Sequence, residues 1–265
     1  MIPIRTYNNS TFYGTVFGTG QCRIKGGHGK TSMDVNLTPE KGSFIEYNAA
    51  SPDAITNRHF ITWNDRSATN GTDTLAAEGQ KDMDKTEREE IEYTSDMYIN
   101  FLFNTTDDFT LRVLMDQASG DHIALNGSGS IHASYYNKGA FNMFGNYNIN
   151  NGIYKLTMQN IIKKDFIFQP GSSIVFGGDP YHATLNLKAV YTINGVSLSD
   201  LQIGKSFSGN NIRVDCIMNI GGTPQAPHVD FDIDLPTVNS DAKQMVRSLI
   251  NSEEEMNQQV IYLLG

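Results

Sequence analysis

Apolar side chains recur at every second position over most of this chain, and that period constrains its fold more than any other feature. Met33, Val35 and Leu37 alternate with Asp34 and Asn36, and Met97, Ile99, Phe101 and Phe103 alternate with Asp96, Tyr98 and Asn100. Ile123, Leu125 and Ile131 belong to another such run, as do Phe141, Met143 and Tyr147, then Tyr154, Leu156 and Met158. The pattern returns in Leu111 and Val113, in Phe166 and Phe168, in Ile174 and Phe176, in Leu185 and Leu187, and in Ile212 and Val214. Late in the chain Val229, Phe231 and Ile233 alternate with Asp230, Asp232 and Asp234. A period of two sends successive side chains to opposite faces of a strand, so each run reads as a half-buried strand and the chain as mainly β.

Turn signals separate the runs at short spacing: Asn9-Ser10, Gly26-Gly27, Asn70-Gly71, Ser119-Gly120, Asn137-Lys138-Gly139, Asn151-Gly152, Pro170-Gly171, Asn194-Gly195 and Gly221-Gly222. Short connections make neighbouring strands antiparallel, which predicts a meandering sheet of roughly fifteen strands. Two segments depart from the rhythm. Residues 79–93 are densely charged and read as a solvated helix or an insertion. From residue 238 the period becomes helical, with Ser240 as the expected cap of one helix carrying Val246, Leu249 and Ile250. Ser252-Glu253-Glu254-Glu255 is a capping box that opens a second, bearing Met256, Val260, Leu263 and Leu264. The domain division expected is residues 1–237 as β region and 238–265 as a helical segment docked on the end of the sheet.

The net charge of −9 on 265 residues, with pI near 5.1, argues against a nucleic-acid partner, which needs clustered Lys and Arg. It equally disfavours electrostatic attachment to an anionic membrane. No run approaches the ~18 apolar residues of a membrane-spanning helix, and no apolar export region follows the first residues. Cys22 and Cys216 both fall at apolar positions of alternating runs and are expected to be buried small hydrophobes, although a pair between them stays open at this stage.

Chemical motifs nearly form and then fail. Gly29-Lys30-Thr31 lacks the first glycine of a phosphate-binding loop, because position 24 is Ile24, and it reads as a hairpin turn. Gly18-Thr19-Gly20 has Arg23 where a dinucleotide fingerprint needs glycine. Asp230, Asp232 and Asp234 open like a calcium loop, yet Leu235 replaces its glycine, so the expectation is three carboxylates on a solvated strand face. The histidines show no metal-ligand spacing, and no serine stands in a nucleophile elbow. Neither cofactor nor catalytic residue is indicated, and Trp63 reads as a core or sheet-edge aromatic.

Residues 139–192 carry a resemblance. The Gly139-Ala140-Phe141-Asn142-Met143 strand, Gln159-Asn160-Ile161-Ile162, Phe166-x-Phe168, Pro170-Gly171, Ile174-x-Phe176-x-Gly178-x-Pro180 and Ala183-x-Leu185-x-Leu187-x-Ala189 occur in that order. So do Phe12-Tyr13-Gly14-Thr15-Val16 near the start and Glu253 to Val260 near the end. The ensemble resembles the C-terminal region of the translocation and assembly module TamB family, AsmA-like proteins of the Gram-negative envelope. Ser172-Ser173 depart from the family, which often has a further glycine after the Pro-Gly.

The resemblance implies a β-taco, an elongated antiparallel sheet folded lengthwise into a trough with an apolar interior, extending on the order of 70 Å for fifteen strands at ~4.8 Å each. It implies bridge-like movement of phospholipid between inner and outer membranes, with phospholipid acyl chains and a TamA-type outer-membrane barrel as partners. The expected location is the periplasm, in a parent chain anchored in the inner membrane by a segment absent from this sequence. Candidate groove-lining residues are Val35, Leu37, Met97, Ile99, Phe101, Phe103, Leu111, Val113, Phe141, Met143, Tyr154, Leu156, Met158, Phe166, Phe168, Ile174, Phe176, Leu185, Leu187, Ile212, Val214, Val229, Phe231 and Ile233. A dry core between two sheets accounts for the same alternation. The alternative function is a β-sandwich or solenoid adhesin or glycan-binding module, which would place aromatics on a polar face; Tyr98, Tyr136 and Phe144 hint at this. An enzyme hidden in a β scaffold would need clustered inward carboxylates or histidines.

Overall fold

The computed structural model describes residues 12–48, 95–116, 118–139, 141–158, 162–197, 211–250 and 252–265. The charged segment 79–93, Trp63 and the turns at Asn9-Ser10 and Asn70-Gly71 lie outside the described residues. Among those described, one sheet holds β1 (Phe12–Thr15), β2 (Gly18–Gly27), β3 (Lys30–Pro39), β4 (Ser43–Asn48), β5 (Asp96–Thr105), β6 (Phe109–Asp116) and β7 (Asp121–Tyr136). It continues through β8 (Asn142–Met158), β9 (Ile162–Phe168), β10 (Ser172–Gly178), β11 (Thr184–Val196), β12 (Ile212–Thr223) and β13 (Ala226–Asp234). Two helices close the chain, α1 (Ser240–Leu249) and α2 (Glu253–Leu264). The mainly β class with short C-terminal helices is as the periodicity predicts. Asn239, not Ser240, caps α1 by accepting from Ala242 N, while Ser252 caps α2 by accepting from Glu255 N.

Thirteen strands occupy only nine rungs, because four pairs run end to end, two of them along a single shared neighbour. β5 and β6 are consecutive segments against β7: Thr105 faces Gly129, and Thr110 faces Asn126. β9 and β10 lie likewise along β8, Ile167 facing Ile153 and Ser172 facing Ile149. β3 and β4 follow β5 and β6, and β2 and β1 follow β3 and β4. Eight steps of ~4.8 Å make the described sheet roughly 38 Å wide, about half the expected extent. Pro170-Gly171 is therefore an interruption within one long line and not a reversal.

The pairing is mostly antiparallel, with two exceptions to a pure meander. β3 pairs β5 in parallel and β4 pairs β6 in parallel. A parallel neighbour requires the chain to return to its starting end, and residues 49–94 intervene between β4 and β5. Four further turn signals lie within strands, Asn151-Gly152 inside β8 among them. The first hairpin turns at His28 and Gly29, both at positive φ, one step beyond Gly26-Gly27. Asn194-Gly195 is an irregularity in β11, and the β12–β13 turn falls after Gly221-Gly222, between Thr223 and Ala226.

The breaks fall at one level across six successive rungs. Val16-Phe17, Glu40 to Gly42, Thr106 to Asp108, the register shift at Asn126/Gly127, Asn150, and Gln169 to Gly171 stand opposite one another. Side chains stitch this line. Ser43 Oγ accepts from Phe17 N at 3.0 Å and donates to Phe17 O at 2.7 Å. Thr105 Oγ1 donates to Gly129 O, and Asn126 Nδ2 donates to the carbonyls of Asp107 and Phe109. Ser172 Oγ donates to Gln169 O and accepts from Lys188 N. Ser43, Thr105 and Ser172 are buried because backbone groups left unpaired by the breaks need partners away from water.

Asn150 explains a parity change in the sequence. Apolar positions of β8 are odd up to Ile149 and even from Tyr154, and Asn126 pairs Asn151 while Gly127 pairs Ile149, so Asn150 is the extra residue of a bulge. One inserted residue restores the face that a slip by one would invert. Deleting Asn150 should consequently turn Tyr154 and Leu156 toward solvent, at ~1.5–3 kcal/mol for each side chain. The expected result in chemical denaturation is a lost or strongly lowered cooperative transition, whereas Asn150→Gly should keep its midpoint close to that of the parent.

Candidate functional site

Residues directly opposite in adjacent strands share a face, so the register assigns a face to each apolar candidate. Leu37 stands opposite Phe103, Phe103 opposite Ile131, Ile131 opposite Gly145, and Gly145 opposite Phe176. A second row joins Val113, Ile123, Tyr154 and Phe166. Val35 joins Phe101, and Met97, Ile99, Leu111, Met143, Leu156, Phe168, Ile174, Leu185, Leu187, Ile212, Val214, Val229, Phe231 and Ile233 fall on the same side. Phe141 precedes β8 and is half-buried, and the side chain of Met158 lies outside the described residues.

Burial along that face is graded. Phe166, Phe168, Ile174, Leu187, Ile212, Val214 and Ile233 are buried in one cluster. Phe103, Leu111, Val113, Met143, Tyr154, Leu156, Phe176, Leu185 and Phe231 are half-buried against it. Ile99 is buried outside that cluster, while Val35, Leu37, Met97 and Phe101 are only half-buried. On β2 the same face carries Cys22 and Ile24, and Ile24 is 62% exposed. Val229, expected to line the interior, is exposed at the far end of its row. Cys22 is exposed too, contrary to the sequence expectation: β2 pairs only with β3, and nothing described covers its apolar side.

Cys216 is buried as expected, and burial pushes its thiol up to about 12. Both cysteines are free. A thiol-reactive maleimide near neutral pH should therefore modify Cys22 alone in the folded protein, with Cys216 reacting only after denaturation; mass spectrometry of the labelled peptides reads both.

The opposite end of the sheet is covered. Val246 of α1 and Val260 and Leu264 of α2 join the buried cluster, and α2 lies along β13. Leu249 faces outward instead of joining that stripe. The aspartates of β13 are not simply solvated, which corrects the sequence reading. Asp230 accepts from Asn219 Nδ2 at 2.9 Å, Asp232 pairs Arg247 at 3.5 Å, and Asp234 pairs Lys243 at 3.0 Å. The two cations recur one helical turn apart on α1 and so meet alternate carboxylates of the strand. No group of three His, Cys, Asp or Glu among the described residues is arranged to hold a metal.

The hydrogen bond from Lys243 holds the Asp234 carboxyl below its ordinary range. A depressed folded-state pKa contributes stability that is present above the unfolded value near 4 and is lost as pH falls through the folded value. Amide exchange in α1 should thus accelerate relative to β12 on acidification below about pH 4. In Lys243→Ala that pH dependence should weaken, with faster exchange in α1 already at neutral pH.

Two charged residues on the apolar face escaped the sequence reading. Lys164 stands opposite Leu156, with its ammonium 5.1 Å from the ring centre of Tyr191, and the period Lys164-x-Phe166-x-Phe168 was the signal for its facing. Asp121 accepts from Thr157 N at 2.9 Å. Burial pushes its carboxyl up, yet hydrogen bonds from Thr157 and Ser119 outweigh that and leave it lowered.

A surface of this kind, apolar side chains shared among many strands of one sheet, defines a β scaffold with one continuous apolar face. Comparison with curated proteins gave no match. The family model of the TamB C-terminal domain matches residues 3–265, and the chain belongs to that family. The family places it in the TamB and AsmA-like system of the Gram-negative envelope, is associated with TamA, and is not known as enzymatic. No helix among the described residues is long and apolar enough to cross a membrane.

Proposed function

We propose that this chain provides an apolar track for phospholipid acyl chains crossing the envelope, as part of a periplasmic conduit between inner and outer membranes. The observation that carries the reading is the single apolar face shared by all nine rungs, buried over most of β7 to β12 and left open at β2. Bulges and strand interruptions bend a sheet, and six of them at one level favour a lengthwise fold with the apolar face inside, the β-taco. Water opposes the transfer of acyl chains by ~0.8 kcal/mol per CH₂, about 12 kcal/mol for a sixteen-carbon tail, which an apolar lining offsets at each step. Many similar contacts permit sliding, whereas one deep pocket would hold its ligand. The helices at β13 close one end, the end at which a TamA-type barrel would receive the cargo. Residues 1–237 act as the conduit and 238–265 as its cap.

Photo-crosslinking tests the facing directly. A benzophenone side chain at Val35 or Phe101 should capture phospholipid in cells, with at least tenfold less capture at Asn36 or Asn100 on the other face. Equal capture at both sets, or capture only at the asparagines, would sink the proposal. Phe101→Asp should stay folded, since this position is half-buried, and lower the yield at position 35.

A further inference from the structure

The polar face of the same sheet carries a second surface with a different chemistry. Tyr98 of β5 and Tyr136 of β7 are directly opposite and stacked, with ring centres 4.5 Å apart and planes 5° from parallel. That separation is close to the spacing of adjacent strands, so the rings stand upright and face along the line from strand to strand. One ring face of Tyr98 is covered by Tyr136. The other looks toward β3, where its opposite number is Ser32, and beyond it toward Lys25 of β2. Serine is too short to fill the row. The result is a cleft of about 360 Å³ bounded by Tyr98, Ser32, Lys25, Lys30 and the hairpin glycines Gly26 and Gly27. Tyr98 remains 40% exposed.

Charge distinguishes this cleft from a bare aromatic patch. The carboxylate nearest in the row, Asp96, is engaged by Lys138 at 2.8 Å and by the Tyr136 hydroxyl at 3.3 Å. No carboxylate among the described residues lies within ion-pair distance of Lys25 or Lys30. Arg23, Lys25 and Lys30 of the β2–β3 hairpin, with Lys138, face Asp34 and the Asp96 that stands opposite Lys30, so four cations meet two carboxylates and the cleft is locally basic on a chain of net charge −9. Asp34 in turn accepts from Asn100 Nδ2 at 2.9 Å. Along the neighbouring rows stand Asn36, Asn104 and Ser130, linked to one another by hydrogen bonds, a face rich in groups that both donate and accept.

We propose that this cleft binds an acidic saccharide, with a sugar ring lying on the open face of Tyr98 and its carboxylate or phosphate held by Lys25 and Lys30. An upright, rigid aromatic ring presents the flat apolar surface that the C–H face of a pyranose covers, and its negative quadrupole suits those C–H groups. A bare anion would need the lysines and not the ring. A membrane surface would meet the repulsion of the whole chain and has no use for a one-ring slot. The site lies on the face opposite the apolar track, so it stands or falls independently of lipid transport.

Titration of the full chain with a trigalacturonate, followed by isotope-edited NMR of the Tyr98 ring and by calorimetry, tests the proposal. Saturable shifts at Tyr98 and at Lys25 or Lys30 are expected. Tyr98→Ala should weaken binding at least tenfold, and Tyr98→Trp should restore it; Lys25→Ala with Lys30→Ala should weaken it at least tenfold without shifting the thermal midpoint by more than a degree or two. Maltotriose, which lacks the charge, should bind at least tenfold more weakly than trigalacturonate. Three results would overturn the assignment: no shift at Tyr98 at millimolar trigalacturonate, equal affinity in Tyr98→Ala, or inorganic phosphate competing as well in Tyr98→Ala as in the parent, which would mark an anion site only. Capture of phosphatidylglycerol vesicles that survives Tyr98→Ala would likewise overturn it in favour of a membrane contact.

Discussion

The backbone ladder between β7 and β8 holds the rest of the sheet together. It runs from His122 opposite Lys155 to Ser134 opposite Asn142, the two longest strands of the described fold, and every other rung is attached through it. β5 and β6 hang from the far side of β7, and β9 and β10 from the far side of β8. Each of those four segments is short and interrupted, and its place along the sheet is fixed only because an uninterrupted neighbour spans the break. Gly127 and Gly129 suit this ladder, since a Cβ at either would collide with the backbone of β8.

The two outer edges of the sheet are treated differently, and the chemistry of each follows. β13 lies against α2, with Asp232 and Asp234 tied to α1 and Ile233 sunk in the common cluster. That arrangement blunts an edge which would otherwise offer unpaired backbone groups to other chains. β2 carries no such cover, and its ten residues are exposed on both faces. The same exposure that leaves Ile24 and Cys22 open on one side leaves Lys25 open on the other, so the apolar track and the basic cleft both emerge at β2.

Much of the fold was legible because burial on one side of a sheet writes itself into every second residue. The strands, the two helices and the Ser252 cap follow from local pattern alone. Direction and width were not legible. Pro170-Gly171 has the composition of a reversal yet only interrupts a line, since the decision between the two depends on whether β8 continues alongside. The parity change between Ile149 and Tyr154 signalled a bulge, but Asn151-Gly152 has the composition of a hairpin turn and points to a reversal there instead. The pairing of Asp232 and Asp234 with α1 depends on where a helix docks, which alternation in β13 cannot reveal. The face of each candidate apolar residue was readable, whereas the grading of burial along that face depends on what lies above it.

The parallel pairing of β3 with β5 carries a kinetic consequence. Lys30 finds Asp96, and Ser43 finds Phe109, only after all of residues 49–94 have been drawn into a closed loop, while β7 finds β8 across a tight turn. Loop closure must be accomplished before such distant contacts begin to reward it. β2 and β3 can pair at once across the His28-Gly29 hairpin and β1 can pair β4, yet the free edges of β3 and β4 join the main sheet only once β5 and β6 are in place. Until that closure the edges of β3 and β4 present unpaired backbone groups, so the β1–β4 unit is the part of the described sheet most open to pairing with another chain.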